Sequence, residues 1–117
     1  MAYFEGYLIP VPSDRRADYE AFANDIAAKF LAHGATEVVE GWGSDVPDGE
    51  LTSFPKSVDL QDGEIVVMAW NRWPSKEVRD AAMEAIFSDG EPPANMPFDG
   101  KRMIFGGFEP IIDVKSE

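Results

Sequence analysis

The chain has no cysteine and only one histidine among its 117 residues. The absence of cysteine excludes disulfides, thiolate metal sites, iron–sulfur clusters and cysteine nucleophiles. A single histidine excludes a histidine-rich metal site, and the acidic run SDVPDGE does not match the calcium-loop pattern. The phosphate-binding patterns GxxxxGK and GxGxxG are also absent. We therefore expect neither a metal nor a cofactor.

Basic residues are scarce as well. Ten lysines and arginines stand against 22 acidic residues, so the formal net charge is -12. Such a surface repels phosphate, which argues against nucleic acid and anionic membranes as partners. No apolar run approaches the length of a membrane span, and the N-terminal MAYFEGYLIP lacks the basic region of a signal peptide. These features predict a cytoplasmic protein.

The length predicts a single domain over residues 1–117, and its 44% apolar content is typical of a globular protein. Strand patterns cover residues 2–11, 36–42, 64–73 and 101–112. Helical spacing predicts a first helix from Ser13 or Asp14 to His33 and a second over 76–87, capped by Ser75. Within the connection 43–60, whose course the pattern leaves open, a strand is expected to resume at 52–60. Residues 88–100 read as a loop and 113–117 as a polar tail.

The segment EIVVMAWNRW at 64–73 is the most strand-like run, and its apolar residues stand at both parities. A strand that is apolar on both sides belongs in the middle of a sheet. The element order β-α-β-β-α-β then predicts an α+β, ferredoxin-like fold: a four-stranded antiparallel sheet with two helices on one face. The other sheet face stays apolar and uncovered, so we expect a homodimer through that face, with a monomer as the competing interpretation.

Three longer segments resemble one protein family: GATEVVEGWGSDVPDGELTSF, WPSKEVRDAAM and MPFDGKRMIFGGFEPI. Together they are similar to the YbaA-like family of short bacterial proteins of unknown function. The resemblance implies a place in the dimeric α+β barrel superfamily. That superfamily includes cofactor-independent monooxygenases, haem-degrading enzymes and stress-response proteins. The resemblance supplies no catalytic residues, and a fold alone does not assign chemistry.

Nine residues are candidates for a ligand pocket: Glu40, Trp42, Trp70, Asn71, Arg72, Trp73, Tyr7, His33 and Arg102. The tryptophans suit a flat apolar ligand, and Asn71 and Arg72 are polar residues at the end of a buried strand. Glu40 near aromatic rings is a candidate base, although a salt bridge to Arg72 or Arg102 is the expected alternative. His33 is expected to cap the first helix, and Arg102 to pair with the acidic surface.

These observations favour a small-molecule-binding or stress-related homodimer. The alternative is a cofactor-independent, monooxygenase-like enzyme that acts on an apolar or aromatic substrate. A deep pocket where a tryptophan meets two convergent polar groups would favour the enzyme, whereas a filled core with paired polar groups would favour binding or a structural role.

Overall fold

The structure is a computed structural model, and it describes residues 2–88 and 96–116. Strand β1 covers Tyr3–Pro12, a 3-10 turn covers Ser13–Arg15, helix α1 covers Arg16–Ala32 and strand β2 covers Glu37–Trp42. The short helix α2 (Phe54–Ser57) precedes β3 (Glu64–Trp73), which is followed by α3 (Lys76–Ile86) and β4 (Ile104–Phe108). Residues 89–95 of the predicted loop lie outside the described residues.

The four strands form one antiparallel sheet in the order β2-β3-β1-β4. The predicted ferredoxin-like α+β arrangement is thereby confirmed, with β1 and β3 as the central strands. In the register of β1 and β3, Tyr3 lies opposite Trp73 and Leu8 opposite Met68. Among the described residues, no helix is both long and apolar enough to cross a membrane.

Alternation along the strands sends one set of side chains under the helices and the other to the opposite face. Under the helices, Tyr3 and Trp73 pack with Phe30 of α1 and Ala82 of α3. Nearer the other end of the sheet, a second cluster contains Ile9, Val11, Val67 and Tyr19. The helices are thus held over the odd-numbered positions of β1 and β3.

The even-numbered positions of β1 and β3 face away from the helices, and so do their partners on the outer strands. Seven apolar side chains form this open face: Phe4, Leu8, Val39, Met68, Trp70, Ile104 and Phe108. Met68 is 50% exposed at its centre and Phe108 is 61% exposed on β4. In a single chain this is a sizeable apolar surface in contact with water.

The prediction of a strand resuming at residues 52–60 was wrong. Residues 54–57 form α2, because the Ser53 hydroxyl accepts the Lys56 N–H at 3.1 Å and Pro55 fits the first helical turn. This helix contacts β3, and at that end of the sheet Val66 is buried. The connection between β2 and β3 therefore covers one end of the sheet face that α1 and α3 leave open.

Several predicted boundaries were also wrong. Neither Ser13 nor Asp14 caps α1, because both lie in the 3-10 turn before it. The first strand ends at Pro12 rather than at residue 11, since β4 pairs with β1 only as far as Leu8 and no strand among the described residues needs the N–H groups that the prolines lack. The last strand covers only 104–108, because Asp99 accepts the Lys101 N–H and forms a turn there.

The end of α1 and the start of α3 agree with their sequence signals. Gly34 has a φ of 111°, which a glycine adopts readily after a helix. The Ser75 hydroxyl accepts the Val78 N–H at 3.2 Å, which caps α3 as predicted.

Gly107 makes room for the side chain of Tyr3. A Cβ atom at position 107 would clash with the Tyr3 hydroxyl and would lie 2.7 Å from Cε2 of the same ring. Gly107→Ala is therefore expected to lower the free energy of unfolding by about 1–3 kcal/mol, the range for overpacking. Urea unfolding measures this change. Gly106→Ala is the matched control, because its Cβ would lie 3.7 Å from the Phe108 ring, an ordinary contact. Equal stability of the two variants would contradict the close packing at Gly107.

Candidate functional site

A groove of about 360 Å³ lies between α1 and the edge strand β2. Its apolar floor includes Ala23, Val38 and Val67. Its polar groups come from two elements: Arg16, Tyr19, Glu20 and Asn24 from α1, and Glu40 from β2. Trp42, the last residue of β2, lies at one end. We refer to this feature as the α1–β2 groove.

Glu40 and Tyr19 meet inside this groove, where the Tyr19 hydroxyl donates a short hydrogen bond to Glu40 Oε1. Tyr19 lies on α1 and Glu40 on β2, 21 residues further along the chain. Partial burial of the Glu40 carboxyl against α1 raises its pKa, although the residue as a whole is exposed, and the bond from Tyr19 opposes this only in part. Burial also raises the pKa of Tyr19, so its hydroxyl stays a donor at neutral pH. The pair thus combines a proton acceptor with a donor that holds it in place.

Trp42 carries a cation on its ring face. The guanidinium carbon of Arg16 lies 5.0 Å from the ring centroid, within the range of a cation–π contact. Arg16 Nε also lies 3.0 Å from Glu20 Oε1, one helical turn along α1. The mouth of the groove therefore holds an arginine between an indole ring and a carboxylate.

A second constellation of polar groups is buried beneath α3. Arg79 donates to Glu5 Oε2 at 2.8 Å and to the Tyr3 hydroxyl at 3.2 Å. Its guanidinium carbon also lies 4.9 Å from the centroid of the Tyr3 ring. Glu5 is only 3% exposed, so this ion pair crosses from a central strand to a helix in the protein interior. Glu5 and Tyr3 take up two of the guanidinium nitrogens, and Arg79 Nε lies 2.9 Å from Asp80 without forming a hydrogen bond. This set of ionic contacts between strand and helix favours a structural role.

Three of the predicted residues lie next to this ion pair: Asn71, Trp73 and Tyr7. None of them lines the α1–β2 groove. Asn71 is 1% exposed, and its Oδ1 accepts the Trp73 indole N–H at 2.8 Å. Trp73 packs edge-on against Phe30 at 5.8 Å. The pKa of Tyr7 is raised by burial and by the charge of Glu5. Asn71 therefore makes its hydrogen bond in the core, and its side chain does not line the α1–β2 groove.

Arg72 and Trp70 lie on or beside the open face. Arg72 donates to Asp113 at 2.7 and 3.1 Å and lies 3.5 Å from Glu37. Its guanidinium holds the pKa of Asp113 down to about 2. Trp70 meets the Phe4 ring edge-on at 6.1 Å. Arg72 therefore does not form the salt bridge with Glu40 that the sequence analysis weighed.

Arg102 and His33 are remote from the groove. Arg102 binds both carboxylate oxygens of Glu64, at 2.7 and 2.6 Å, and Asp99 at 3.0 Å. The Arg102 hydrogen bond is the main cause of a lowered pKa at Glu64. His33 follows α1, and its Nδ1 lies 2.9 Å from the Lys29 carbonyl oxygen. Arg102 pairs with acidic groups, as favoured from the sequence, and His33 is an exposed helix-end residue.

Of the nine residues predicted to form a ligand pocket, only Glu40 and Trp42 line the α1–β2 groove. Tyr19 and Arg16, which complete it, were not among the candidates. Helical spacing alone predicts that Tyr19 lies on the apolar stripe of α1 and Arg16 on its solvated side. Nothing in the local sequence points either residue toward β2, because the contact depends on how α1 crosses the sheet.

Comparison with known proteins places the chain in a family. A family described as "Protein of unknown function (DUF1428)" matches residues 2–100. The chain belongs to this family. Uncharacterized protein YbaA of Escherichia coli strain K12 is 48% identical over 119 aligned positions, which cover 97% of this chain and 99% of the relative. YbaA of Shigella flexneri matches to the same extent. The predicted resemblance to the YbaA-like family is therefore confirmed.

A solved structure shares the fold of this DUF1428 protein. It is a dimeric ferredoxin-like protein from an uncultured marine organism, with a TM-score of 0.56 and 10% sequence identity. The alignment covers 97% of this chain and all of the other. At this identity the likeness supports the ferredoxin-like fold and assigns no activity.

Proposed function

We propose that the protein is a homodimer that binds a small molecule in the α1–β2 groove of each subunit. The observation that carries the binding proposal is the convergence of Glu40 and Tyr19 beside Trp42 in a groove of about 360 Å³. A few directed polar groups next to apolar and aromatic surface are the usual composition of a small-molecule site. The volume lies within the range of such sites, near its lower end, which fits a ligand of modest size.

The homodimer is supported by the open face. Its centre carries Leu8, Met68 and Trp70 and no charge, while the charged Arg72 and Glu37 at its edge already pair with each other. In a chain with a net charge of -12, an uncharged patch is the surface on which two copies repel each other least. Beside this edge, Ile111, Ile112 and Val114 expose 94%, 77% and 84% of their surface and would extend the interface.

Tryptophan fluorescence tests the binding proposal, because the three tryptophans lie in three different places. Trp42 is in the groove, Trp70 on the open face and Trp73 in the core. We expect a saturable change in emission with one class in a panel of small aromatic and apolar compounds. The change should disappear in Trp42→Phe and persist in the matched variant Trp70→Phe. No response across the panel, or a response that depends on Trp70 alone, would overturn the groove as the binding site.

A cofactor-independent enzyme is the second candidate, and one observation favours it. Glu40 has a raised pKa and a hydrogen-bonded Tyr19 beside it, as a general base poised for proton abstraction requires. Its substrate would be an apolar or aromatic compound that places an acidic C–H or O–H next to the carboxylate. Turnover of a compound that binds, abolished in Glu40→Gln while binding persists, would distinguish catalysis from binding alone.

A further inference from the structure

We infer that the ligand of the α1–β2 groove carries a cationic nitrogen on a small aromatic or aliphatic body, and that this nitrogen displaces the Arg16 guanidinium from Trp42. The inference rests on the proposed function, because it names the class of ligand for the same groove. It draws on the arginine already seated on the indole ring, on the charges that line the groove and on its apolar floor.

The face of Trp42 already forms a cation site with a cation in place. The Arg16 guanidinium carbon lies 5.0 Å from the ring centroid, and the neighbouring Glu20 carboxylate binds the same arginine. An ammonium or guanidinium group of a ligand would find the same ring and the same acidic surroundings. An aromatic ring and a carboxylate together are a common way to recognise such groups.

Arg16 is held loosely enough to be displaced. Its side chain is 58% exposed, and its ionic partner Glu20 is four residues along the same helix. Exposed ion pairs at this spacing and exposed cation–π contacts each stabilise a structure only slightly, because water competes for both groups. Moving Arg16 aside therefore costs little, and the arginine can keep its bond to Glu20 as it swings outward.

The charge of the groove selects the sign of the ligand. Two carboxylates, Glu20 and Glu40, line it together with the single cation Arg16. The net charge of -12 adds a long-range field that attracts cations and repels anions. Beyond the charged groups, Ala23, Ala27 and Val67 offer an apolar surface for the body of the ligand. A carboxylate or phosphate ligand would face unfavourable charge at both acidic positions.

Binding should depend on pH through Glu40. The ionisable groups that line the groove are Arg16, Tyr19 and Glu20 on α1 and Glu40 on β2, while β3 contributes only Val67. Burial raises the Glu40 pKa, which extends the protonated form of the carboxyl to higher pH than in a free side chain. A bound cation favours the ionised carboxylate. Affinity is therefore expected to rise as the pH increases through the Glu40 pKa, with proton release on binding below it.

Isothermal titration calorimetry on the full chain tests the inference with benzylamine, benzyl alcohol and benzoate, which share a phenyl ring and differ in charge. We expect benzylamine to bind at least ~10-fold more tightly than benzyl alcohol, since a hydrogen bond between charged groups is stronger than one to a neutral hydroxyl. Benzoate should not bind. Glu40→Gln should weaken benzylamine at least ~10-fold, and Arg16→Ala should strengthen it, because the competing guanidinium is gone. Arg15→Ala is the matched control, as Arg15 pairs with Asp18 outside the groove.

The outcomes separate the two proposals. Comparable binding of all three probes that still requires Trp42 would overturn the cationic ligand and leave the groove as a binding site. Benzylamine binding that Glu40→Gln does not weaken would show cation association with the acidic surface at large, and would also overturn the inference. If none of the three probes binds, the inference of a cationic ligand is also overturned. The fluorescence panel remains the separate test of the groove as a binding site.

Discussion

Replacing Met68 by lysine is expected to convert the protein from a dimer into a monomer. Met68 lies at the centre of the open face, opposite Leu8 on one side and Gly41 on the other. In the proposed dimer its side chain is removed from water, so a lysine there would place an unpaired ammonium in an apolar contact. We expect the dissociation constant to rise at least ~30-fold, since a disruptive change at a central hot-spot residue costs about 2 kcal/mol or more.

Light scattering after size-exclusion chromatography at micromolar concentration checks this expectation. The unaltered protein should show about twice the chain mass of 12.9 kDa, and Met68→Lys should show the chain mass itself. Leu31→Lys is the matched control, because Leu31 is 51% exposed, almost the same as Met68, but lies on α1. A monomeric parent protein, or dimers in both variants, would contradict association through the open face.

Replacing Arg79 by methionine is expected to cause the largest loss of stability in the monomer fold. Glu5 is 3% exposed, and within the described residues its ionic partner is Arg79, which donates to it at 2.8 Å. Methionine fills a similar space but leaves the carboxylate buried without a countercharge. Removing one partner of a buried ion pair typically costs about 3–5 kcal/mol, which is a large part of the total stability of a small domain.

Urea unfolding at fixed protein concentration and neutral pH measures this loss. The double variant Glu5→Gln/Arg79→Met should recover more than half of it, because no unpaired charge then remains in the interior. Arg15→Ala is the control for loss of an exposed pair and should change stability by about 0.5 kcal/mol or less. If Arg79→Met were as mild as Arg15→Ala, the buried ion pair would not be the main polar support of α3.

The fold followed from local signals that each act over a few residues. Ser75 capped α3, Gly34 ended α1, and the two apolar parities of EIVVMAWNRW identified a central strand. The segment at 54–57 was misjudged because Ser53 and Pro55 carry a helix-start signal that the surrounding apolar residues obscured. Signals of this kind determine which elements form, but they do not tell which strand parity faces the helices.

The candidate site was harder to predict, because it depends on contacts between distant residues. Strand parity alone does not show which side chains face the helices, and in the structure both Glu40 and Tyr7 do so. It did not tell which helical residue meets each of them. Tyr19 reaches Glu40, whereas Asn71 turns to the indole of Trp73 two residues away. The angle at which α1 crosses β2 decides these partners, and no local pattern encodes that angle.

Backbone amide and indole NMR shifts of the ¹⁵N-labelled protein, recorded during a titration with benzylamine, test the central claim most directly. We expect the changes to concentrate on Tyr19, Glu40 and the indole N–H of Trp42, with the indole of Trp73 unaffected because it is bonded in the core to Asn71. That result would locate ligand binding in the α1–β2 groove. Shifts centred on Met68 and Trp70, or none that saturate, would contradict the groove as the functional site.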